Sequence, residues 1–329
     1  MLKQFMDILG EENVLSMEPM AKHTTFRVGG PADCYLIPQN VEQIKAAVAL
    51  CKANGIPYFI LGNGSNLLVG DGGYRGAVIQ IFRNMSNVTL EGEDVIRAQA
   101  GALLSTVAKF ALNNSLTNME FASGIPGTLG GAVTMNAGAY GGEMKDILTE
   151  VTVLTEDGEV AVLKAEELEL GYRTSCIKTR NYVVLEAVLK LEKGEKEKIQ
   201  ARMDELKEQR VTKQPLEFPS AGSTFKRPTG YFAGKLIQDA GLAGYKIGGA
   251  EVSAKHCGFI VNSGNGTAKD ILDLIHHVQK AVKEDAGVDL ETEVKMLGDF
   301  CGFGNVIGEA IGVAELVISD CEKDAGKEI

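Results

Sequence analysis

Two glycine-rich stretches constrain this chain more than any other feature. The longer is Ser123-Gly124-Ile125-Pro126-Gly127-Thr128-Leu129-Gly130-Gly131-Ala132-Val133, and the shorter is Leu61-Gly62-Asn63-Gly64-Ser65-Asn66-Leu67-Leu68-Val69. Glycine has no Cβ, so it turns sharply, reaches positive φ and admits a backbone or a ligand at close range. Clustered N–H groups can then converge on one anion, commonly a phosphate. The shorter stretch follows Tyr58-Phe59-Ile60-Leu61, an apolar run that reads as a buried strand. Two such loops in one chain point to a ligand with an extended phosphate group, such as a dinucleotide. A turn rich in small residues would explain the first loop alone, and glycine-rich packing the second. Their pairing, and the entropy that so many glycines lose on folding, favour the ligand.

With 329 residues, the chain has room for two or three domains. Its 45% apolar and 23% charged content is that of an ordinary globular protein. The net charge of −11, with no long Lys/Arg run, argues against nucleic acid as a partner. An anionic substrate would need a local basic pocket. Residues 1–10 carry Lys3 and Asp7 in an amphipathic stretch unlike a signal peptide. No apolar stretch is long enough to span a bilayer, so no membrane partner is expected. Cys34, Cys51, Cys176, Cys257, Cys301 and Cys321 lie far apart without a Cys-x-x-Cys, as free thiols of a reducing cytoplasm do. The histidines are not at ligand spacing from them, so no metal is expected, and His276-His277 reads as helix surface.

Helical spacing of Ile44, Ala47, Val48 and Cys51 predicts a helix over 41–54, stopped by Gly55-Ile56-Pro57. Residues 77–82 and 95–100 read as strands, and Leu103, Leu104, Val107, Ala108 and Ala111 as a helix stripe ending near Asn113-Asn114. Strands at 150–155 and 159–163 flank Glu156-Asp157-Gly158, a hairpin signal, and 182–191 is a long strand. Residues 195–210 form a charged helix with Ile199, Met203 and Leu206 on one face, read as a bridge between domains. Thr267 and Asp270 make a capping-box pair ahead of a helix lined by Ile271, Leu274, Ile275, Val278 and Val282 and closed by Gly287. Leu290 to Lys295 reads as a strand with Leu290, Thr292 and Val294 on one face and Glu291 and Glu293 on the other. The chain is therefore mixed α+β.

Several separate motifs resemble one family. They are Thr24-Thr25-Phe26-Arg27-Val28-Gly29-Gly30, the loop at 62–69, the stretch at 123–142, Gly171-Tyr172-Arg173-Thr174-Ser175, Pro219-Ser220-Ala221-Gly222-Ser223-Thr224-Phe225-Lys226, Ala233-Gly234-Lys235-Leu236-Ile237 and Glu291-Thr292-Glu293-Val294. A single glycine loop is weak evidence, but this set in this order is highly specific. The chain resembles the MurB family, the UDP-N-acetylenolpyruvoylglucosamine reductases of peptidoglycan synthesis, over about residues 15–300. The resemblance implies an α+β fold: a vanillyl-alcohol-oxidase-type (PCMH) FAD-binding fold in two subdomains, 1–82 and 83–211, with a C-terminal α+β substrate domain at 212–300. It also implies non-covalent FAD, NADPH as co-substrate, and reduction of UDP-N-acetylglucosamine enolpyruvate to UDP-N-acetylmuramate. Residues 171–192 leave no room for the extra tyrosine-bearing loop of the longer family type, so the chain resembles the shorter one.

The same resemblance implies roles for residues. Gly62, Asn63, Gly64, Ser65 and Asn66 would wrap the FAD pyrophosphate, and Ser123, Gly124, Ile125, Pro126, Gly127, Gly130 and Gly131 would lie along the flavin. Asn136 and Gly138 continue that stretch as weaker candidates. Arg173 would meet the substrate carboxylate, where a fixed guanidinium stabilises charge that grows during reduction. Without the family, a lone Arg reads as solvated surface. Ser223 would donate a proton to the intermediate, helped by nearby cations, with Lys213 and Lys226 the candidates. Glu293 would be the second acid, acting best when protonated, with Glu291 its competitor. Tyr172 is counted among the substrate neighbours. Arg210 and Lys213 would hold the UDP diphosphate or the carboxylate, although basic residues also suit a helix C-terminus. Asn262 either meets the substrate or ends a strand.

Two rival readings remain at this level. A sugar or hydroxy-acid oxidase with a related FAD fold would react quickly with oxygen and would not need Ser223. A non-catalytic nucleotide-sugar binder would not need the set Arg173, Ser223 and Glu293. Family-like sequence ends near Gly298-Asp299-Phe300, and residues 301–329 follow as an extra tail. There, Ile307, Ala310, Ile311, Ala314 and Val317 or Ile318 form a helix-like face, either an added helix or a self-association element.

Overall fold

The computed structural model describes residues 1–300 and the two-residue strand Val306–Ile307. The chain divides into two compact units, each assembled from separated stretches. The first comprises Met1–Ser16, Cys34–Asn63 and Gly76–Thr212; the second comprises Met17–Asp33, Gly64–Arg75 and the chain from Lys213 onward.

In the first unit, a five-stranded antiparallel sheet runs in the order Val160–Lys164, Leu148–Leu154, Val183–Lys190, Val95–Gln99, Val88–Glu91. The hairpin about Glu156-Asp157-Gly158 forms as its sequence dictates, with Leu154 opposite Val160 and Gly158 at φ +85°. Val183–Lys190 is the central strand, buried at nearly every position, which accounts for its unbroken apolar sequence. Tyr58–Leu61 pairs in parallel with residues 77–80. Of that run only Leu61 is buried, so the expected buried strand is a half-buried one. Helices Val41–Ala53 and Leu104–Asn113 bury the apolar stripes read from their spacing. Asn40 caps the first through its side chain. Helix Lys196–Lys213 buries Ile199 and Leu206, and its Met203 packs against the core of this unit.

The second unit has its own core, built on helix Ala268–Ala286. The Thr267 hydroxyl accepts from Asp270 N, the Asp270 carboxylate accepts from Thr267 N, and Gly287 ends the helix at φ +69°. Ile271, Leu274, Ile275, Val278 and Val282 are all fully buried. Each contributes about 1.5–3 kcal/mol by leaving water. The helix covers a three-stranded sheet of Lys246–Ile247, Ala250–Val252 and Ile260–Asn262. Leu67–Val69 pairs in parallel with residues 295–297 of the strand Lys295–Gly298.

Three further expectations change. The glycine run does not stay irregular: Leu129–Met135 is a helix, so Gly130 and Gly131 are helical. The strand expected over 290–295 begins only at Lys295, because Thr292 is held by a single bridge to Phe225 instead of a ladder. Ile307, expected on a helix face, lies in a two-residue strand opposite Leu297. The rest of the proposed tail helix lies outside the described residues. Cys34, Cys51, Cys176 and Cys257 are buried free thiols, and burial, with Cys34 nearby, pushes the Cys51 thiol up to about 12. Among the described residues no helix is long and apolar enough to cross a membrane, and no His/Cys/Asp/Glu cluster could hold a metal.

Candidate functional site

The loop at 62–66 leaves its backbone donors open. Among the described residues, no N–H of Gly62, Asn63, Gly64, Ser65 or Asn66 donates to another protein group. Three features hold this shape. A Cβ on Gly64 would sit 1.9 Å from the His23 carbonyl oxygen, and its φ is +62°. The Gly64 carbonyl accepts from Thr25 N at 3.1 Å, which gives the Thr24-Thr25 motif its use. A Cβ on Gly62 would sit 2.4 Å from Thr128 Oγ1. Asn63 Nδ2 donates to the Pro126 carbonyl at 2.5 Å, so within the first unit Gly62 and Asn63 lie against the second glycine stretch. A run of open N–H groups with short polar side chains is the donor set that a diphosphate requires, and these residues fit FAD on that ground.

The second stretch is more committed. The N–H groups of Ser123, Ile125, Leu129 and Gly130 donate to Glu120, Ala122, Ala102 and Ala100 carbonyls, and that of Gly131 to Thr128 Oγ1. The Ser123 hydroxyl also donates to Glu120 O. Gly130 lies against Ala100, where a Cβ would meet the Ala100 Cβ at a tight 3.0 Å, so packing favours a small residue there. Gly124 and Gly127 keep open N–H groups among the described residues, and Gly124 and Pro126 are exposed. The Arg210 guanidinium donates to the Gly124 carbonyl. Burial lowers its pKa from the ordinary value, with Tyr140 opposing, and it stays a cation at neutral pH.

Arg173 occupies the tip of a tight turn. Gly171 and Thr174 exchange N–H···O bonds of 3.1 and 3.3 Å across it, and Arg173 has φ +57°. Its Nη2 donates to the Gly138 carbonyl at 3.3 Å, and its guanidinium lies 5.0 Å from the ring of half-exposed Tyr172. Asn136, a weaker flavin candidate in the sequence, is fully buried, and its amide is fully engaged with the protein.

Ser223 and Glu293 both lie in the second unit, and one residue joins their backbones. Thr224 is fully buried. Its N–H donates to Gly258 O, its hydroxyl accepts from Ile260 N, and its carbonyl accepts from Glu293 N at 2.8 Å. Glu293 O accepts from Asn66 Nδ2 at 3.1 Å, and Asn66 O accepts from Lys295 N. Asn66 thus turns its amide to Glu293, a link that no spacing rule announces. Gly222, at φ +78°, leaves open space before Ser223. Glu291 is exposed and pairs with Lys226 at 2.8 Å. Lys213 ends its helix exposed. Asn262 ends its strand: Nδ2 donates to Phe26 O, and Oδ1 accepts from Gly264 N and Gly266 N.

A family model described as FAD binding domain matches residues 32–164, and one described as UDP-N-acetylenolpyruvoylglucosamine reductase, C-terminal domain, matches 214–297. The UDP-N-acetylenolpyruvoylglucosamine reductase of Alkaliphilus metalliredigens (strain QYMF) is 54% identical over 297 residues, covering 90% of this chain and 97% of the relative. That of Clostridium botulinum (strain Okra / Type B1) is 54% identical over 298 residues, covering 91% and 97%. The crystal structure of the Thermus caldophilus UDP-N-acetylenolpyruvylglucosamine reductase (MurB) superposes with a TM-score of 0.74 at 38% identity, covering 86% of this chain and 97% of that one. The α+β fold, with an FAD-binding part ahead of a C-terminal domain, is the one expected from the sequence.

Proposed function

We propose, from the premise that this chain belongs to the UDP-N-acetylenolpyruvoylglucosamine reductase family, that it reduces UDP-N-acetylglucosamine enolpyruvate to UDP-N-acetylmuramate with NADPH, in the cytoplasm, as a step of peptidoglycan synthesis. The protein is an FAD-dependent oxidoreductase. When bound, FAD supplies the hydride relay between NADPH and the enolpyruvyl double bond. We assign residues 1–82 and 83–211 to the cofactor and 212–300 to the substrate.

The chain's own residues divide the remaining work. The open N–H groups of residues 62–66 hold the FAD diphosphate, with Gly124 and Gly127 offering further open donors from the second stretch. Arg173 fixes the substrate carboxylate and stabilises the charge that builds there, with Tyr172 beside it. Ser223 supplies the proton to the carbon that does not receive hydride. Glu293 hydrogen-bonds the enolate-like oxygen in its protonated form. Lys213 faces the substrate's phosphates.

The observation that most supports this division is the 2.8 Å bond from Glu293 N to Thr224 O. It ties the Glu293 backbone to the buried residue that follows Ser223 in the chain. The test is single-turnover kinetics of Ser223→Ala. Flavin reduction by NADPH is expected to persist, while substrate-driven reoxidation slows on the order of 10²–10⁴-fold, the usual worth of a positioned acid. Equal slowing of both half-reactions would remove Ser223 from the proton-donor role.

A further inference from the structure

We propose that Asn136, with Ser175 as a second tie, is a positioning residue that holds Arg173 in its working conformation; the proposal rests on the reading of Arg173 as the substrate-carboxylate contact. Asn136 ends the helix Leu129–Met135 in the left-handed region, φ 42° and ψ 55°, and is fully buried. One Nδ2 hydrogen goes to the Gly171 carbonyl at 3.0 Å, at the base of the Arg173 turn. The other goes to Glu143 Oε2 at 2.7 Å, and Oδ1 accepts from Lys145 N at 2.9 Å. Both amide hydrogens and the amide oxygen are thus engaged.

The second set of bonds matters as much as the first. Glu143 pairs with Gly138 in a two-residue ladder, and Gly138 supplies the carbonyl on which the Arg173 guanidinium rests. Asn136 therefore fixes both the base of the turn and the platform under its side chain. Ser175, nearly fully buried, ties the far end of the turn to the same helix through Oγ to Thr134 O at 2.8 Å. Arg173 needs such support, because positive φ is unfavourable for a residue with a Cβ. Only Asn provides both the left-handed backbone and two donors plus an acceptor at this length. Asp lacks the donors and would set a second carboxylate against Glu143.

The experiment uses the flavin-loaded protein carrying Asn136→Gly, Asn136→Asp, Arg173→Ala and Asn136→Gly with Arg173→Ala. Gly keeps the left-handed backbone and deletes the amide alone. Each half-reaction is followed anaerobically, with NADPH and then with UDP-N-acetylglucosamine enolpyruvate. The Asn136 variants are expected to retain flavin reduction within about twofold and to raise the half-saturating substrate concentration on the order of tenfold or more. The double variant is expected to be no worse than Arg173→Ala, because both changes disable one device. Additive losses, or equal slowing of both half-reactions, would overturn the proposal. If Arg173→Ala leaves the substrate step intact, the reading of Arg173 fails instead. Should the Asn136 variants not accumulate as flavoprotein, Ser175→Ala cuts the other tie, and an unchanged half-saturation there would overturn the proposal.

Discussion

The two glycine-rich stretches look alike as sequence and differ as structure. In residues 62–66 the glycines give open donors: Gly64 is pressed against His23 O at positive φ, and among the described residues no N–H in the run is used by the protein. In residues 123–131 most N–H groups are used internally, and Gly130 and Gly131 are turns of a helix. Glycine content alone therefore does not mark a ligand loop. The mark is glycine together with unused N–H groups.

The sharpest way to break this contrast is Gly64→Ala. The added methyl would enter the His23 carbonyl at 1.9 Å in a conformation that already disfavours a Cβ. We expect a loss of roughly 2–5 kcal/mol in stability and loss of bound flavin. Chemical denaturation and the flavin content of purified protein measure both. Retained flavin in a stable Gly64→Ala protein would mean that the loop does not carry the diphosphate.

Asp270→Asn supplies the control, because it weakens a helix cap that has no part in either stretch. It should cost about 1 kcal/mol at neutral pH while flavin content stays unchanged. The Thr267 N–H, opposed by burial and aided by the Gly249 N–H, lowers the Asp270 pKa below its ordinary 3.8. A lowered folded-state pKa gives stability that is full above 3.8 and lost as pH falls through the folded value. The melting gap between wild type and Asp270→Asn should therefore close in acid. A gap that widens in acid would contradict the assignment, and flavin lost here would mean that flavin content merely reports folding.

The smallest expected effect has the opposite sign. A Cβ on Gly131 would meet only Thr128 Oγ1, at an ordinary 3.6 Å. Alanine suits a helix better, so Gly131→Ala should stabilise by about 0.5–1 kcal/mol and keep its flavin. Loss of flavin would show that the second stretch needs close approach at Gly131 after all, and the contrast would fail.

How much of this was legible follows from where periodicity operates. The cap Thr267–Asp270, the stripe from Ile271 to Val282 and the hairpin at Glu156-Asp157-Gly158 were all readable, because local chemistry and tertiary burial agree there. The helix Leu129–Met135 was hidden because paired glycines are poor helix formers, and its packing on neighbouring strands overrides that preference. Strands of two or three residues, such as Lys246–Ile247 and Ala250–Val252, are too short to show alternation. The residues of the candidate site were found through family motifs. Thr224 and Asn136 lie within those motifs, Asn136 as a weaker flavin candidate, but their supporting roles were not legible, since both act through partners distant in sequence.

The most direct measurement of the central claim is the flavin spectrum of the purified protein, followed anaerobically through two additions. NADPH should bleach the yellow oxidised flavin, and UDP-N-acetylglucosamine enolpyruvate should then restore it with formation of UDP-N-acetylmuramate. Flavin that bleaches with NADPH and does not recover with this substrate would contradict the reductase reading while leaving the FAD fold in place.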